Sequence, residues 1–222
     1  YASANYNDNV YDLNYGTTDV HGVPTLFHHM LSKVTFIVKF DASGIAGDAT
    51  EKAKNKWDLT INSASLNYAD KGAITVTFAD PTSTGQAWPY SAGSVNWTAK
   101  ADDNTTLAVT ANLGDSHKQT TTGGTVSSGK TLLNEITVLP QTFATTTPKF
   151  AINYTLKHYY DDAEQIYETV DLTGANALAL TAFDGSNSAW NMNYKYTYTV
   201  TIKPNHTVTF DPAVEPWVNG NA

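Results

Sequence analysis

The 222-residue chain contains no cysteine, and this absence excludes several kinds of site. Without thiols the protein forms no disulfide, holds no iron–sulfur cluster, builds no cysteine-ligated zinc site and uses no cysteine nucleophile. Positive charge is also scarce, with 13 basic against 21 acidic residues and a formal net charge of −8. Because phosphate binding needs a clustered positive surface, we expect no nucleic acid as a partner.

Arginine is missing as well, since every basic residue is a lysine. Two explanations stay open at this point. The first is a general lysine bias in the source genome. The second is a need for the mature chain to survive an arginine-specific protease.

Charged residues make up only 15% of the chain, against roughly 25% in an ordinary soluble domain. No run of about 18 apolar residues occurs, so we expect no membrane-spanning segment in the mature chain. The first residue is Tyr1 rather than methionine, which leads us to expect a processed chain. With 41% hydrophobic and 12% aromatic residues, the sequence can bury a core.

An alternation of apolar and polar residues with a period of two dominates what is present, as half-buried strands require. In residues 194–203, one face carries Tyr194, Tyr196, Tyr198, Val200 and Ile202. Shorter alternating runs occupy residues 33–40, 74–78, 107–111, 132–139, 150–156, 165–172 and 208–210. Many short strands separated by turn-like residues predict an all-β protein built as a β-sandwich.

Two local predictions concern a short helix and the inward face of one strand. Residues 51–57 are the one stretch that could form a short helix, with Thr50 as a possible N-cap, and a lysine-rich surface loop is the alternative. In residues 74–78 the alternation predicts that Ile74 and its i+2 neighbours face inward.

Three segments resemble the fimbrillin (type V pilin) family of Bacteroidetes. Residues 23–40 read VPTLFHHMLSKVTFIVKF and resemble the opening of that family, although the register is disturbed at residues 27–30. Residues 138–141 (VLPQ) are similar to its marker before the second domain. Residues 194–217 (YKYTYTVTIKPNHTVTFDPAVEPW) are similar to its ending. The matching positions of the first segment are Leu26, His28, Ser32, Lys33, Val34, Phe36 and Val38.

The resemblance implies a lipoprotein precursor displayed on the cell outer membrane. It further implies that a trypsin-like protease, cutting after a basic residue that is classically arginine, removes a first strand and leaves Tyr1 as the new N-terminus. The absence of arginine from the chain agrees with this. The implied function is a structural subunit of an extracellular fimbria that supports adhesion. Its implied partners are identical subunits, joined by donor-strand exchange, and anchor and tip pilins are further candidates.

We therefore predict two tandem antiparallel Greek-key β-sandwich domains of transthyretin-like type. The boundary lies near residue 144, in the threonine-rich stretch 142–148 that follows the end of a strand at residues 140–141. A single domain is the alternative, since an all-β protein of this length can form one. The N-terminal domain comprises residues 1–143, in which 1–22 form an edge strand or a tail. The C-terminal domain comprises residues 144–222 and includes the donor strand. Because a unit of under about 80 residues is marginal for an independent core, it should lean on the first domain or on another chain.

The predicted donor strand places Val208, Phe210, Val214 and Trp217 as the apolar side chains that enter a neighbouring subunit. Burying four such side chains stabilises by roughly 6–12 kcal/mol. The alternative is that residues 208–217 form only the last strand of their own domain. The resemblance implies an acceptor groove, for which the candidates are Leu26, Val34, Phe36 and Val38. An edge strand flanking it would contain Val10, Tyr11, Leu13 and Tyr15, and the alternative is a tail.

Residues with possible catalytic or metal-binding chemistry are scattered along the chain. The adjacent His28 and His29 would face opposite sides of a strand. Further candidates with no supporting spacing are His158 with Asp161 and Asp162, the turn 102–104, and the carboxylates Glu135 and Glu168. No nucleophile elbow, phosphate loop or dinucleotide fingerprint occurs in the sequence. We therefore expect no enzyme activity, no cofactor and no metal.

A glycan-binding β-sandwich module is the alternative function. The tryptophans that could stack on sugar rings are Trp57, Trp88, Trp97 and Trp190. Burial of these rings in a core is the other interpretation.

Overall fold

A computed structural model describes residues 2–4, 25–27, 29–77, 94–99, 104–108, 118–143, 147–180 and 188–217. A short helix, α1, spans Ala49–Ala53, and a 3-10 turn spans Gly174–Asn176. The strands are β1 Ala2–Ala4, β2 Thr25–Phe27, β3 Ser32–Phe40, β4 Asn55–Ala69, β5 Gly72–Thr77, β6 Ser94–Ala99, β7 Asn104–Ala108, β8 Gln119–Thr122, β9 Lys130–Val138, β10 Gln141–Thr142, β11 Lys149–Tyr160, β12 Ala163–Leu172, β13 Leu178–Ala179, β14 Ala189–Trp190, β15 Tyr194–Ile202 and β16 Val208–Pro216.

Two larger sheets form a β-sandwich. The first has the strand order β16-β15-β3-β9. The second has the order β12-β11-β4-β7, with β8 also pairing with β4 and β13 with β11. Side chains from both sheets meet in one hydrophobic core, where the ring of Phe36 stacks on that of Phe150 with centroids 4.6 Å apart. The remaining pairs, β1 with β2, β5 with β6, and β10 with β14, are small two-stranded sheets. The prediction of an all-β sandwich is confirmed.

Alternation in the sequence explains which face of each strand enters this core. In β3, the side chains of Val34, Phe36, Val38 and Phe40 are fully buried, while the residues between them are partly exposed. The same pattern holds in β11 and β15. A strand directs successive side chains to opposite faces, so each apolar row lies against the opposite sheet. The predicted inward faces of these strands are correct.

One strand pair corrects the prediction of antiparallel sheets. β3 and β15 run parallel, in a register that aligns Val34 with Tyr196 and Phe40 with Ile202. The other strand pairs described here are antiparallel. Parallel neighbours need a long connection between them. Here residues 41–193 supply it, and they contribute strands to the opposite sheet before the chain returns.

The predicted boundary between residues 143 and 144 does not separate two cores. β4 precedes it and pairs along β11, which follows it, and β3 pairs with β15 across the same point. Both larger sheets and the core therefore contain strands from each side of the boundary. The physical reason is the one noted for the C-terminal part, which is too short to bury a core alone. We describe the two larger sheets as one β-sandwich.

Two local predictions also need correction. Helix α1 is capped by Asp48 and not by Thr50, because the Asp48 carboxylate accepts the backbone N–H groups of Thr50 and Glu51 at 2.9 and 3.0 Å. From Asn55 onward the chain is strand β4. Ile74, expected to face inward, is 39% exposed because β5 pairs with β6 outside the two larger sheets.

The C-terminal strand as candidate functional site

The predicted donor segment is the edge strand β16 of its own four-stranded sheet. It pairs antiparallel with β15 from Ile202 opposite Val208 to Tyr194 opposite Pro216. The structure therefore places this segment beside its own chain, as the alternative interpretation expected. Its donation to a neighbouring chain stays a prediction.

Phe210 is the side chain that anchors β16 in the core. It is only 8% exposed, lies opposite Val200, and meets the ring of Phe150 edge to face at a centroid distance of 5.9 Å. Val208 is half-buried, whereas Val214 is 39% exposed. The four predicted donor residues are therefore unequal, and Val214 contributes little burial in this arrangement.

The hydrogen bonds that hold β16 leave its two prolines on the free edge. The N–H of Lys203 donates to the carbonyl oxygen of Thr207 at 3.0 Å, and the N–H of Trp217 donates to that of Asn193 at 2.7 Å. Antiparallel strands bond at alternate residue pairs, so the odd-numbered residues between these two points face β15. Pro212 and Pro216 have the opposite parity. Their missing N–H groups therefore lie on the outer edge, where no bond to β15 is lost.

The turn before β16 is fastened to the opposite sheet through His206. Its backbone has a φ of +61°, and its ring lies between two side chains of the six-stranded sheet. Nδ1 is 3.4 Å from the hydroxyl of Tyr154, and Nε2 is 3.0 Å from a carboxylate oxygen of Glu168. Burial, with a smaller effect of the Glu168 charge, raises the pKa of Tyr154 to about 12. Tyr154 therefore keeps its proton, and its hydroxyl can donate a hydrogen bond to Nδ1 of His206. The Nε2–H group then donates a hydrogen bond to Glu168.

The far end of β16 is fastened by Trp217. Its indole stacks on the imidazole of His29, with ring centroids 3.6 Å apart and planes 8° from parallel. The Lys33 Nζ atom lies 4.7 Å from the centroid of the same indole, a cation–π contact. With the bond from its backbone N–H to Asn193, Trp217 makes three kinds of contact at once.

A row of charged side chains crosses all four strands of this sheet at the same end, with the two lysines on the inner strands and a glutamate on each outer strand. Glu135 of β9 accepts from Lys33 of β3 at 2.6 Å and from Lys195 of β15 at 3.3 Å. Lys195 also lies 3.9 Å from Glu215 of β16. The hydrogen bonds from the two lysines, Lys33 first, lower the pKa of Glu135. Exposed ion pairs of this kind contribute little stability individually.

Three of the four predicted acceptor residues face the core of the sandwich in this arrangement of the chain, and their role as an acceptor groove stays a prediction. Val34, Phe36 and Val38 are fully buried, and both edges of β3 are paired, one with β15 and the other with β9. Leu26 lies in β2, opposite Ser3 of β1. The edge that β16 covers belongs to β15. Sequence patterns did not reveal this, because the parallel neighbour of β15 lies far away in the chain.

The scattered polar candidates are not brought together. His158 hydrogen-bonds Asn55 at 2.8 Å and stacks on Trp57, and burial lowers its pKa. Glu135 and Glu168 lie in different sheets. No group of three histidine or acidic side chains within the described ranges could hold a metal ion. Asp161 and Asp162 form the exposed turn between β11 and β12.

Two of the four tryptophans considered for sugar stacking lie where they cannot reach a sugar. Trp57 and Trp190 are buried in the core, and Trp97 lies in β6. Some residues named in the sequence predictions lie outside the described residues: Tyr1, Val10, Tyr11, Leu13, Tyr15, His28, Trp88, Asp102 and Asp103. Within the part of the chain that the structure describes, helices are too short or too polar to cross a membrane.

Comparisons with known proteins returned structural matches alone. No family model matches the chain, and no curated protein matches it. A fimbrial protein from Bacteroides vulgatus is 16% identical, with a TM-score of 0.43, and the match covers 88% of this chain and 57% of that one. A proposed cell adhesion protein from Bacteroides uniformis is 16% identical, with a TM-score of 0.37 and coverages of 88% and 54%. One from Bacteroides eggerthii is 12% identical, with a TM-score of 0.33 and coverages of 88% and 57%. The chain thus spans little more than half the length of these solved structures.

Proposed function

We propose that this chain is a structural subunit of an extracellular fimbria that supports adhesion, and that copies of it polymerise by exchanging β16. The three sequence segments that resemble the fimbrillin family support this proposal. Far apart in the chain, they contribute β3, the end of β9, β15 and β16, which are neighbours in the four-stranded sheet. The resemblance therefore concentrates on the sheet whose edge strand is exchanged.

The observation that carries the proposal is the position of β16. It is the last strand of the described residues, lies at the edge of its sheet, and forms its ladder with β15 alone among them. An edge strand that pairs with one neighbour can leave without breaking any other strand pair. Its departure uncovers the edge of β15 together with the site that Phe210 filled. An identical β16 from a second copy fits that vacated edge with the same register and the same contacts.

The two prolines favour exchange over simple addition of a further strand. A strand added outside β16 would need hydrogen-bond donors along its free edge. Pro212 and Pro216 remove donors from that edge. Exchange has no such requirement. The odd-numbered residues of β16, which bond its own β15, then bond the β15 edge of the second copy.

The energetics allow a durable junction. Burial of Phe210 stabilises the docked strand by about 1.5–3 kcal/mol, and each ladder hydrogen bond adds about 0.5–1.5 kcal/mol. With several such bonds, the total is comparable to the stability of a whole domain, roughly 5–15 kcal/mol. Because the same contacts form within one chain and between chains, the polymer gains little net energy per contact. It forms slowly because β16 must first leave its own β15.

Introduced cysteines test the exchange directly, since the native chain has none. Thr201 and Thr209 lie opposite each other on β15 and β16. Opposed residues of this kind are about 5.5 Å apart at Cα, within the range that a disulfide spans. A full-length Thr201→Cys chain mixed with a Thr209→Cys chain should form a disulfide heterodimer under oxidation. The double variant should close its own disulfide, stop polymerising, and resume when reduced.

A matched control uses Thr155 and Thr169, which are opposed on β11 and β12. The Thr155→Cys, Thr169→Cys double variant should also close a disulfide yet polymerise normally. The two single variants of that pair, when mixed, should not form a heterodimer. Exchange of β16 is refuted if the Thr201 and Thr209 variants behave as this control does.

A further inference from the structure

We propose that His29, Lys33 and Asn193 form a receptor for the Trp217 indole of a second copy of this chain. The inference rests on the proposed exchange of β16 and identifies the contact that fastens the far end of the exchanged strand.

The receptor is built from residues outside the strand that it holds. His29 precedes β3, Lys33 belongs to β3, and Asn193 precedes β15. The imidazole supplies a flat surface 3.6 Å from the indole, the Lys33 ammonium adds a cation–π contact, and the Asn193 carbonyl accepts the backbone N–H. None of these groups moves with β16 when the strand leaves. They can therefore accept the same tryptophan from another chain.

Asn193 organises the receptor through its own backbone. Its φ of +67° lies in the left-handed region, which asparagine tolerates better than most residues. In this conformation its N–H donates to the carbonyl oxygen of Leu31 at 3.0 Å. Its side-chain oxygen accepts the N–H of His29 at 3.3 Å. These bonds tie His29 to the start of β15, so the stacking surface is held in place by residues other than Trp217.

Trp217 is needed at this end because the strand has little else there. Beyond Phe210, Val214 is exposed, and the Glu215–Lys195 ion pair at 3.9 Å is weak. In an exchanged junction the other end of the strand continues into the donor's own chain. The aromatic stack is therefore the contact that prevents this end of β16 from fraying, and tryptophan is a common anchor at interfaces.

Complementation between two full-length variants tests whether the contact forms between chains. Trp217→Ala keeps the receptor and loses the indole, whereas His29→Ala keeps the indole and damages the receptor. Oligomers of either variant alone should dissociate in urea roughly three- to tenfold faster than native ones. Size-exclusion chromatography after timed dilution measures this. When the variants polymerise together, junctions that a His29→Ala chain donates to a Trp217→Ala chain carry both native groups. The mixture should then show a phase with the native lifetime.

Three controls sharpen the result. Tyr167→Ala removes an exposed aromatic side chain of β12, which lies in the other sheet, and should leave the oligomer lifetime unchanged. Glu135→Gln removes the ion-pair partner of Lys33 without touching the indole, so it separates the ion pair from the cation–π contact. Trp217→Phe keeps a stacking ring and should restore part of the lifetime lost in Trp217→Ala.

The outcomes separate this inference from the proposed function. If native chains polymerise but the mixture dissociates without a native-like phase, Trp217 does not bind in trans and the receptor is refuted while strand exchange stands. If native chains never form oligomers, the proposed function fails and the receptor between copies fails with it. A native-like phase in the mixture supports both.

Discussion

Tyr154, His206 and Glu168 connect the two sheets of the sandwich through single hydrogen bonds. Tyr154 is buried on β11, and its hydroxyl points to the turn that precedes β16. Because burial raises its pKa to about 12, the neutral hydroxyl is strongly preferred in the folded chain. This one residue therefore makes folding sensitive to alkaline pH.

The free energy of unfolding should fall as pH rises from about 10 to about 12. An unfolded tyrosine loses its proton near pH 10, whereas folded Tyr154 retains it until about 12. The stabilisation is complete below pH 10 and lost through the folded pKa, up to about 3 kcal/mol in all. Urea unfolding of native and Tyr154→Phe chains across this range measures the difference. Burial also raises the pKa of Tyr68 and Tyr196, so the variant should keep a shallower slope. Identical slopes would contradict the assignment.

At the scale of one element, β16 combines a single core anchor with an exposed outer half. Its parity puts Phe210 against the opposite sheet, and the same parity puts Val214 opposite Tyr196, where the edge of the sandwich leaves it exposed. Alternation alone predicted equal roles for both residues. Their difference arises because the core does not extend as far as the strand does.

The two side chains should therefore differ sharply when truncated. Phe210→Ala removes a buried ring and should lower the free energy of unfolding by about 3–5 kcal/mol. Val214→Ala, as the matched variant on the same strand, should change it by less than about 0.5 kcal/mol. Urea unfolding monitored by circular dichroism compares them. Similar losses in the two variants would mean that Val214 is buried in solution.

At the scale of the whole molecule, the sandwich depends on strands from both ends of the chain. β3 lies between β9 and β15, and β11 lies between β4 and β12. Removing either part of the chain would leave unpaired strand edges and half of the core exposed to water.

The sandwich should consequently unfold in one transition. The buried Trp57 and Trp190 lie on opposite sides of residue 144, so tryptophan fluorescence reports on both parts. Its urea midpoint should coincide with that of far-ultraviolet circular dichroism. A fragment of residues 144–222 expressed alone should lack stable structure, and mixing it with residues 1–143 should restore part of the signal. Two separate transitions, or a folded fragment, would support independent domains.

Much of the strand content could be predicted from the sequence, and much of the candidate site could not. The inward rows of β3, β11 and β15 follow from alternation, because a strand exposes every second residue to the same side. The stack of His29 on Trp217 joins residues near opposite ends of the chain. No local pattern encodes such a contact, since it depends on β3 and β16 both lying beside β15.

The sequence by itself determined the all-β class and the buried face of the main strands. Only the tertiary structure decided that β3 runs parallel to β15, that one core spans residue 144, and that Trp217 stacks on His29. The reason is physical. Side-chain alternation determines which face of a strand avoids water, but backbone hydrogen bonds are the same for every residue. They leave the choice of neighbour and direction to the packing of the whole chain.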